Sequence, residues 1–172
     1  MLENISLTPH FELREFIASQ KAREHGIVNE PGAEAVENLR KLCEGCLEPL
    51  REELGLPVVV TSGFRTKELN DLLAHSSRTS QHMRGEAADF YVGHTESTDS
   101  TEKASHRELL IKAFREILQN PKIGFDQLIL YPTFIHVSFV SKEKNRRGIL
   151  KARGDGKLGY GRLSLADALK LV

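Results

Sequence analysis

The ten residues Ser80-Gln81-His82-Met83-Arg84-Gly85-Glu86-Ala87-Ala88-Asp89 constrain this chain more than any other stretch. They set one imidazole and one carboxylate seven residues apart, with a glycine and two alanines between them. Two helical turns would align such a pair. Gly85 argues against the helix, and Glu86-Ala87-Ala88-Asp89-Phe90-Tyr91-Val92 reads as a strand entering a core. In that strand Ala87, Asp89 and Tyr91 share one face, because side chains alternate. A carboxylate on a mostly apolar strand is costly to bury unless something pairs with it. A divalent metal shared with His82 is such a partner. Zinc takes His nitrogen and Asp oxygen, and its catalytic sites combine three protein ligands with a water.

A third ligand is on offer downstream. Phe134-Ile135-His136-Val137-Ser138-Phe139-Val140 is a strong strand pattern with a histidine at its centre. Ile135, Val137 and Phe139 form one apolar face, and Phe134, His136 and Ser138 the other. A lone strand histidine is more often a hydrogen-bonded core residue than a ligand. The His-x6-Asp segment upstream tips this one towards metal binding. His10, His25, His75, His94 and His106 sit in polar or helix-surface contexts and are expected to be solvated.

These residues carry a resemblance. Ser80-x-His82-x-x-Gly85-x-Ala87-x-Asp89 is similar to the S-x-H-x-x-G-x-A-x-D signature of the zinc D-Ala-D-Ala carboxypeptidases and dipeptidases. Ser62-Gly63-Phe64-Arg65-Thr66 with Asn70 resembles the upstream S-G-[YF]-R-[ST]…N element of that family, and His136-Val137-Ser138 its last ligand strand. The likeness runs from about Leu7 to about Phe139, with the ten-residue signature its specific part. It implies a zinc site of His82, Asp89 and His136. It also implies the α+β architecture shared with the hedgehog signalling domain, an antiparallel sheet carrying the zinc and backed by helices. Arg65 is the natural anchor for a substrate carboxylate, since its planar fork matches one bidentately. Ser80 either positions substrate through its hydroxyl or orders the loop.

The order of predicted elements agrees with that architecture. Helices are expected over residues 12–21 and 33–54, the second kinked or ended early at Pro49 and stopped by Gly55. Pro57–Ser62 is a β-branched run and reads as a buried strand. Thr66 caps a helix over 67–75, and residues 76–80 form a loop. Residues 93–101 are polar and form another loop, after which Ser105 and Glu108 make a capping box for a helix. Strands at 125–131 and 134–140 form a hairpin across Pro132-Thr133. Residues 141–163 are basic and glycine-rich and read as loop with a short irregular hairpin, and Ser164 with Asp167 starts a last helix. A chain of 172 residues is expected to be one domain, with 141–172 as its C-terminal extension.

Cys43 and Cys46 share a helix face with Leu39, Leu42 and Leu50, so they read as buried reduced thiols rather than a redox pair or a second zinc site. With 24 basic and 24 acidic residues the chain has no charge excess to bind nucleic acid or an anionic membrane. No apolar run approaches membrane-spanning length, and Met1-Leu2-Glu3-Asn4 lacks the pattern of a signal peptide. The chain is expected to be a monomer, cytoplasmic as synthesised, and to need release through a phage lysis system, carriage on a virion or a substrate in the cytosol.

Hydrolysis also needs a general base. The resemblance places an acid three residues before the last histidine, where this chain has Thr133. In a phage-associated branch it places one at the end of the preceding strand, where this chain has Tyr131. On a tight hairpin Tyr131 shares the face of His136, Asp126 takes the opposite face, and Glu86 lies nearby. Two function classes therefore stay open. One is a zinc D,D-peptidase acting on D-Ala-D-Ala ends or peptidoglycan stem peptides. The other is a zinc-containing, catalytically weakened cell-wall-binding module or phage structural component.

Overall fold

Alternation and β-branching lay down the middle of the molecule. The computed structural model, which describes residues 5–74, 76–93, 100–152 and 160–170, shows how the rest is arranged around it. A small antiparallel pair, β1 (Ser6–Thr8) and β2 (Phe11–Glu12), leads into α1 (Leu13–Ile17), α2 (Gln20–Glu24) and α3 (Ala33–Leu42). A π-helical turn (Cys43–Leu47) joins α3 to α4 (Glu48–Leu54). Then come β3 (Val58–Ser62), α5 (Lys67–Leu72), a 3₁₀ turn (Gln81–Arg84), β4 (Ala87–Val92) and α6 (Ser100–Gln119). The chain closes with β5 (Gln127–Leu130), β6 (Ile135–Ser138), β7 (Gly148–Ala152), β8 (Tyr160–Leu163) and α7 (Leu165–Lys170).

Among the described residues the main sheet has the order β3-β4-β6-β5-β7-β8. Its neighbours run antiparallel except β5 and β7, which are parallel. The fold is the expected α+β arrangement. One face of the sheet carries Ala88, Phe90, Val92, Leu128, Leu130, Ile135 and Val137 into a core shared with α3, α4 and α6. The other face carries Asp89 beside His136, and His136 beside Ile129. The alternation that buries one set of strand residues thus presents the other set to the site.

Several boundaries differ from the sequence expectation, each for a local reason. The helix expected over 12–21 is two helices, because Ala18 is extended and the Ser19 hydroxyl accepts from Ala22 N–H to cap the second. The long helix takes a π turn just before Pro49, in which Glu48 N–H donates to Cys43 O, and continues beyond it to Leu54. Pro49 has no N–H to offer Gly45 O, and Gly124 N–H supplies that bond from outside at 2.8 Å. The helix after Thr66 ends at Leu72, and Ser105 and Glu108 lie within α6, which starts at Ser100. The hairpin expected within residues 141–163 is the antiparallel pair β7 and β8, and it extends the main sheet through β5 rather than standing in a loop. Gly55 adopts φ 62° as the helix stop, Thr66 caps α5, and Ser164 Oγ accepts from Asp167 N–H at the start of α7, all as expected. Cys43 and Cys46 are fully buried free thiols. Burial pushes both up, Cys46 to about 12, which keeps them protonated and inert. Among the described residues no helix is long and apolar enough to cross a membrane.

One polar lock holds the segment that feeds β7. Asp126 is only 1 % exposed. Its Oδ1 accepts from Arg146 N–H at 2.7 Å and Oδ2 from Arg146 Nη2 at 2.5 Å. Burial alone would raise the Asp126 pKa, but the hydrogen bonds from Arg146 outweigh it and hold the carboxyl below its usual range. A depressed carboxylate stabilises the fold above its unfolded pKa of about 3.9, and that contribution is lost as pH falls further. Asp126→Asn is therefore expected to lose about 1–2 kcal/mol at neutral pH, a charged bond discounted for the exposed Arg146 side chain. Denaturation of both proteins from pH 7 to pH 2 should show the gap closing in acid; a constant gap would mean that the charge is not what matters.

Candidate metal centre

Each proposed ligand is delivered by a different device. Gly85 ends the 3₁₀ turn at φ 72°. A Cβ there would lie 2.3 Å from Ala35 O, so only glycine lets this turn sit against α3. His82 then points inward, 3 % exposed. Asp89 lies in mid-strand on β4, paired directly with His136 on β6. The three donor atoms converge: His136 Nδ1 is 2.7 Å from Asp89 Oδ1, His82 Nε2 is 3.4 Å from the same oxygen, and the two ring nitrogens are 3.2 Å apart. A tetrahedral ion with bonds of about 2.0–2.1 Å has donor-to-donor edges of about 3.4 Å. The cluster is therefore the size of a zinc site. Among the described residues no further His, Cys, Asp or Glu joins it.

A second tier fixes the donors. His82 Nδ1 lies 2.6 Å from Gly63 O. A carbonyl can only accept, so Nδ1 carries the proton and the Nε2 lone pair faces the cluster. Gly63 allows this because α1 packs on it: a Cβ would lie 2.6 Å from Phe16 Cβ. Arg65 Nη2 donates to Asp89 Oδ2 at 2.7 Å and Arg65 Nε to Ser62 Oγ at 2.9 Å, which leaves Oδ1 turned to the histidines. Burial lowers the His82 pKa and favours the neutral ring that a metal requires. Burial would raise the Asp89 pKa, but the two imidazoles beside it prevail and hold it far below the usual carboxylate range.

The sequence-derived residues are thus brought together unevenly. His82, Asp89 and His136 meet as expected. Arg65 sits at the centre as well, but its Nε and Nη2 are occupied by Ser62 and Asp89 rather than turned outwards as a free fork. Ser80 orders its loop through backbone bonds, donating N–H to Ser77 O and accepting from Met83 N–H, both at 3.2 Å. Tyr131 shares the His136 face, with its ring stacked on Phe134 at 4.2 Å. Of the two nearby acids, Asp126 faces Arg146, and Glu86 accepts from Arg84 Nε at 2.8 Å. His10 and His106 are not simply solvated. His10 pairs with Glu48, and His106 Nε2 bonds Thr133 O at 2.9 Å beside the Tyr91 ring. His25 is exposed, bonding Lys21 O at 3.0 Å. His75 and His94 lie outside the described residues.

One positioning residue is missed by the sequence reading. Asn29 is buried, and its Nδ2 donates to both Ile17 O and Phe64 O at 3.0 Å while its Oδ1 accepts from Thr66 N–H at 2.9 Å. It ties the Gly63–Thr66 corner to α1 and so holds both Gly63 O and Arg65 in place. Within Asn29-Glu30-Pro31-Gly32 it reads only as a chain breaker.

Because Arg65 orients Asp89, Arg65→Gln is expected to weaken the metal affinity of the cluster about 10- to 100-fold, the usual effect of losing an outer-tier partner. Competition with a colorimetric chelator measures it. Unchanged affinity would remove Arg65 from the support of Asp89.

A family model described as Peptidase M15 matches residues 9–138, a stretch that includes His82, Asp89 and His136. No curated protein matches the chain.

Proposed function

The chain belongs to the peptidase M15 family, and from that membership we propose that it is a zinc-dependent D,D-peptidase acting on D-Ala-D-Ala-type ends or stem peptides of peptidoglycan. The convergence of His82, Asp89 and His136 carries the proposal, because three protein donors leave a tetrahedral ion one position for water or substrate. Zinc held there supplies Lewis acidity and a water acidified to about pKa 7. The chain's own residues supply the rest. Gly63 O sets the His82 tautomer, and Arg65 neutralises and aims Asp89. The apolar core on the far face of β4 and β6 keeps the ligand strands rigid.

A second reading has a specific observation in its favour. No carboxylate besides Asp89 joins the cluster among the described residues, and Glu86 and Asp126 are bound to arginines. A protein that binds wall peptides and turns them over weakly fits that arrangement. Either reading carries with it a monomer that meets its peptide outside the membrane, delivered by a phage lysis system or on a virion.

The deciding experiment is release of D-Ala from a D-Ala-D-Ala-ended peptide by the zinc-loaded protein, followed by mass spectrometry with and without chelator. Chelator-sensitive release supports the peptidase. Binding by calorimetry without release supports the binding module. Neither release nor binding overturns both.

A further inference from the structure

The metal ligands belong to one row of side chains across the sheet, and the next row on the same face is built differently. Asp89 on β4 pairs with Ser62 on β3 and His136 on β6, and His136 pairs with Ile129 on β5. Two residues along β4, β5 and β6, towards the β5–β6 turn, the same face carries Tyr91, Tyr131 and Phe134. Val59 on β3 pairs with Tyr91, and Tyr131 N–H donates to Phe134 O at 3.0 Å, so the row crosses four strands. All four side chains are half-buried, and none carries a charge at neutral pH. The Tyr131 and Phe134 rings stack at 4.2 Å, and the Tyr91 ring meets that of His106 at 5.5 Å. Consecutive residues of α6 brace the turn at the end of the row: His106 Nε2 donates to Thr133 O at 2.9 Å and Arg107 Nη1 to Tyr131 O at 2.8 Å. The result is a fixed aromatic shelf about 7 Å from the ligand row, the rise of two strand residues.

We propose that Val59, Tyr91, Phe134 and Tyr131 form a specificity shelf that holds an aliphatic or methylene-rich side chain on the acyl side of the scissile bond, at the third residue from the end of a D-Ala-D-Ala-type peptide. The assignment rests on the peptidase reading of the metal centre. With the scissile carbonyl at the metal, the Cα of the preceding residue lies at most about 5 Å away along the chain, and its side chain spans the rest of the distance to the shelf. The other flank of the substrate ends in a carboxylate. Four uncharged side chains cannot replace the water such a group loses, so the acyl flank is the one that fits. Glycine or alanine at the third position leaves the ring faces wet, whereas a longer side chain covers them and is covered in return. The metal centre then selects the bond, and the row beside it selects which peptides present that bond.

Calorimetry on the zinc-loaded full chain tests the shelf with two N-acetylated tripeptides ending in D-Ala-D-Ala, one with leucine and one with glycine as the third residue from the end. The leucine peptide is expected to bind about 10-fold more tightly, the effect of burying roughly half of a leucine side chain. Phe134→Ala should remove most of that preference while leaving the glycine peptide's affinity and the zinc content unchanged. Tyr91→Ala, on a different strand, should do the same and serves as the independent variant if the first fails to fold. Tyr91→Phe keeps the ring and should keep the preference. Equal binding of the two peptides to the wild type, a preference that survives both alanine variants, equal weakening of both peptides in the variants, or no binding at millimolar peptide would overturn the shelf. Failure of the underlying reading looks different. A ring-dependent leucine preference with no chelator-sensitive D-Ala release keeps the shelf and removes the peptidase. Chelator-sensitive release that is indifferent to the third residue and to both rings does the reverse.

Discussion

Replacing His82 or His136 with alanine is expected to abolish stoichiometric zinc and, with it, any peptide hydrolysis. Each histidine supplies one of three donors lying within 3.4 Å of one another. Two donors cannot define the site, and the remaining carboxylate would be left in a nearly closed environment with Arg65 as its main partner. The loss of affinity should exceed the roughly 10- to 100-fold typical of outer-tier changes such as Arg65→Gln. Elemental analysis after dialysis against a weak chelator measures it. The His82 variant should also lose the bond to Gly63 O, so circular dichroism is needed to show that the sheet persists; the core behind β4 and β6 contains neither histidine. Full zinc in either variant would mean that the metal is held elsewhere.

The second large effect concerns Tyr131. A phenol titrates near ~10, so at neutral pH it can donate a proton but is a poor base. General bases contribute typically about 10²–10⁴-fold in rate. With Thr133 at one expected acid position and Tyr131 at the other, wild-type turnover should be slow. Tyr131→Glu is expected to raise kcat by about 10²-fold or more with little change in zinc content. Tyr131 stacks on Phe134 at the end of the β5–β6 hairpin, and Arg107 Nη1 holds its carbonyl at 2.8 Å, so the backbone at this position is well fixed for the exchange. Fast wild-type turnover that survives Tyr131→Phe would show that another group is the base. Glu86 and Asp126 are then the acids to replace, although each must first leave its arginine.

The parts of this site that could be read from the sequence are those set by local periodicity. Period-two alternation fixes that Asp89 and Tyr91 share a face, and that His136 opposes Ile135 and Val137. The hairpin over Pro132-Thr133 then places Tyr131 on the His136 face, and the structure agrees. What could not be read depends on contacts between distant segments. The parallel pairing of β5 with β7 spans a connection whose composition gives no hint of register. The π turn at Cys43–Leu47 arises because Pro49 leaves Gly45 O for Gly124, a partner far along the chain. Arg65 illustrates the same limit in chemistry. Its sequence context identifies it as a site residue, but only the fold shows that part of its fork is spent on Asp89. Asn29 is invisible for the opposite reason, since a turn-forming context disguises a buried brace.

X-ray absorption at the zinc edge of the stoichiometrically loaded wild-type protein tests most directly whether His82, Asp89 and His136 hold the metal. The expected spectrum shows only nitrogen and oxygen neighbours at about 2.0–2.2 Å, with the multiple-scattering signature of two imidazoles and a coordination number near four. A sulfur shell at about 2.3 Å, which would place the ion at Cys43 and Cys46, or a spectrum without imidazole, would contradict it.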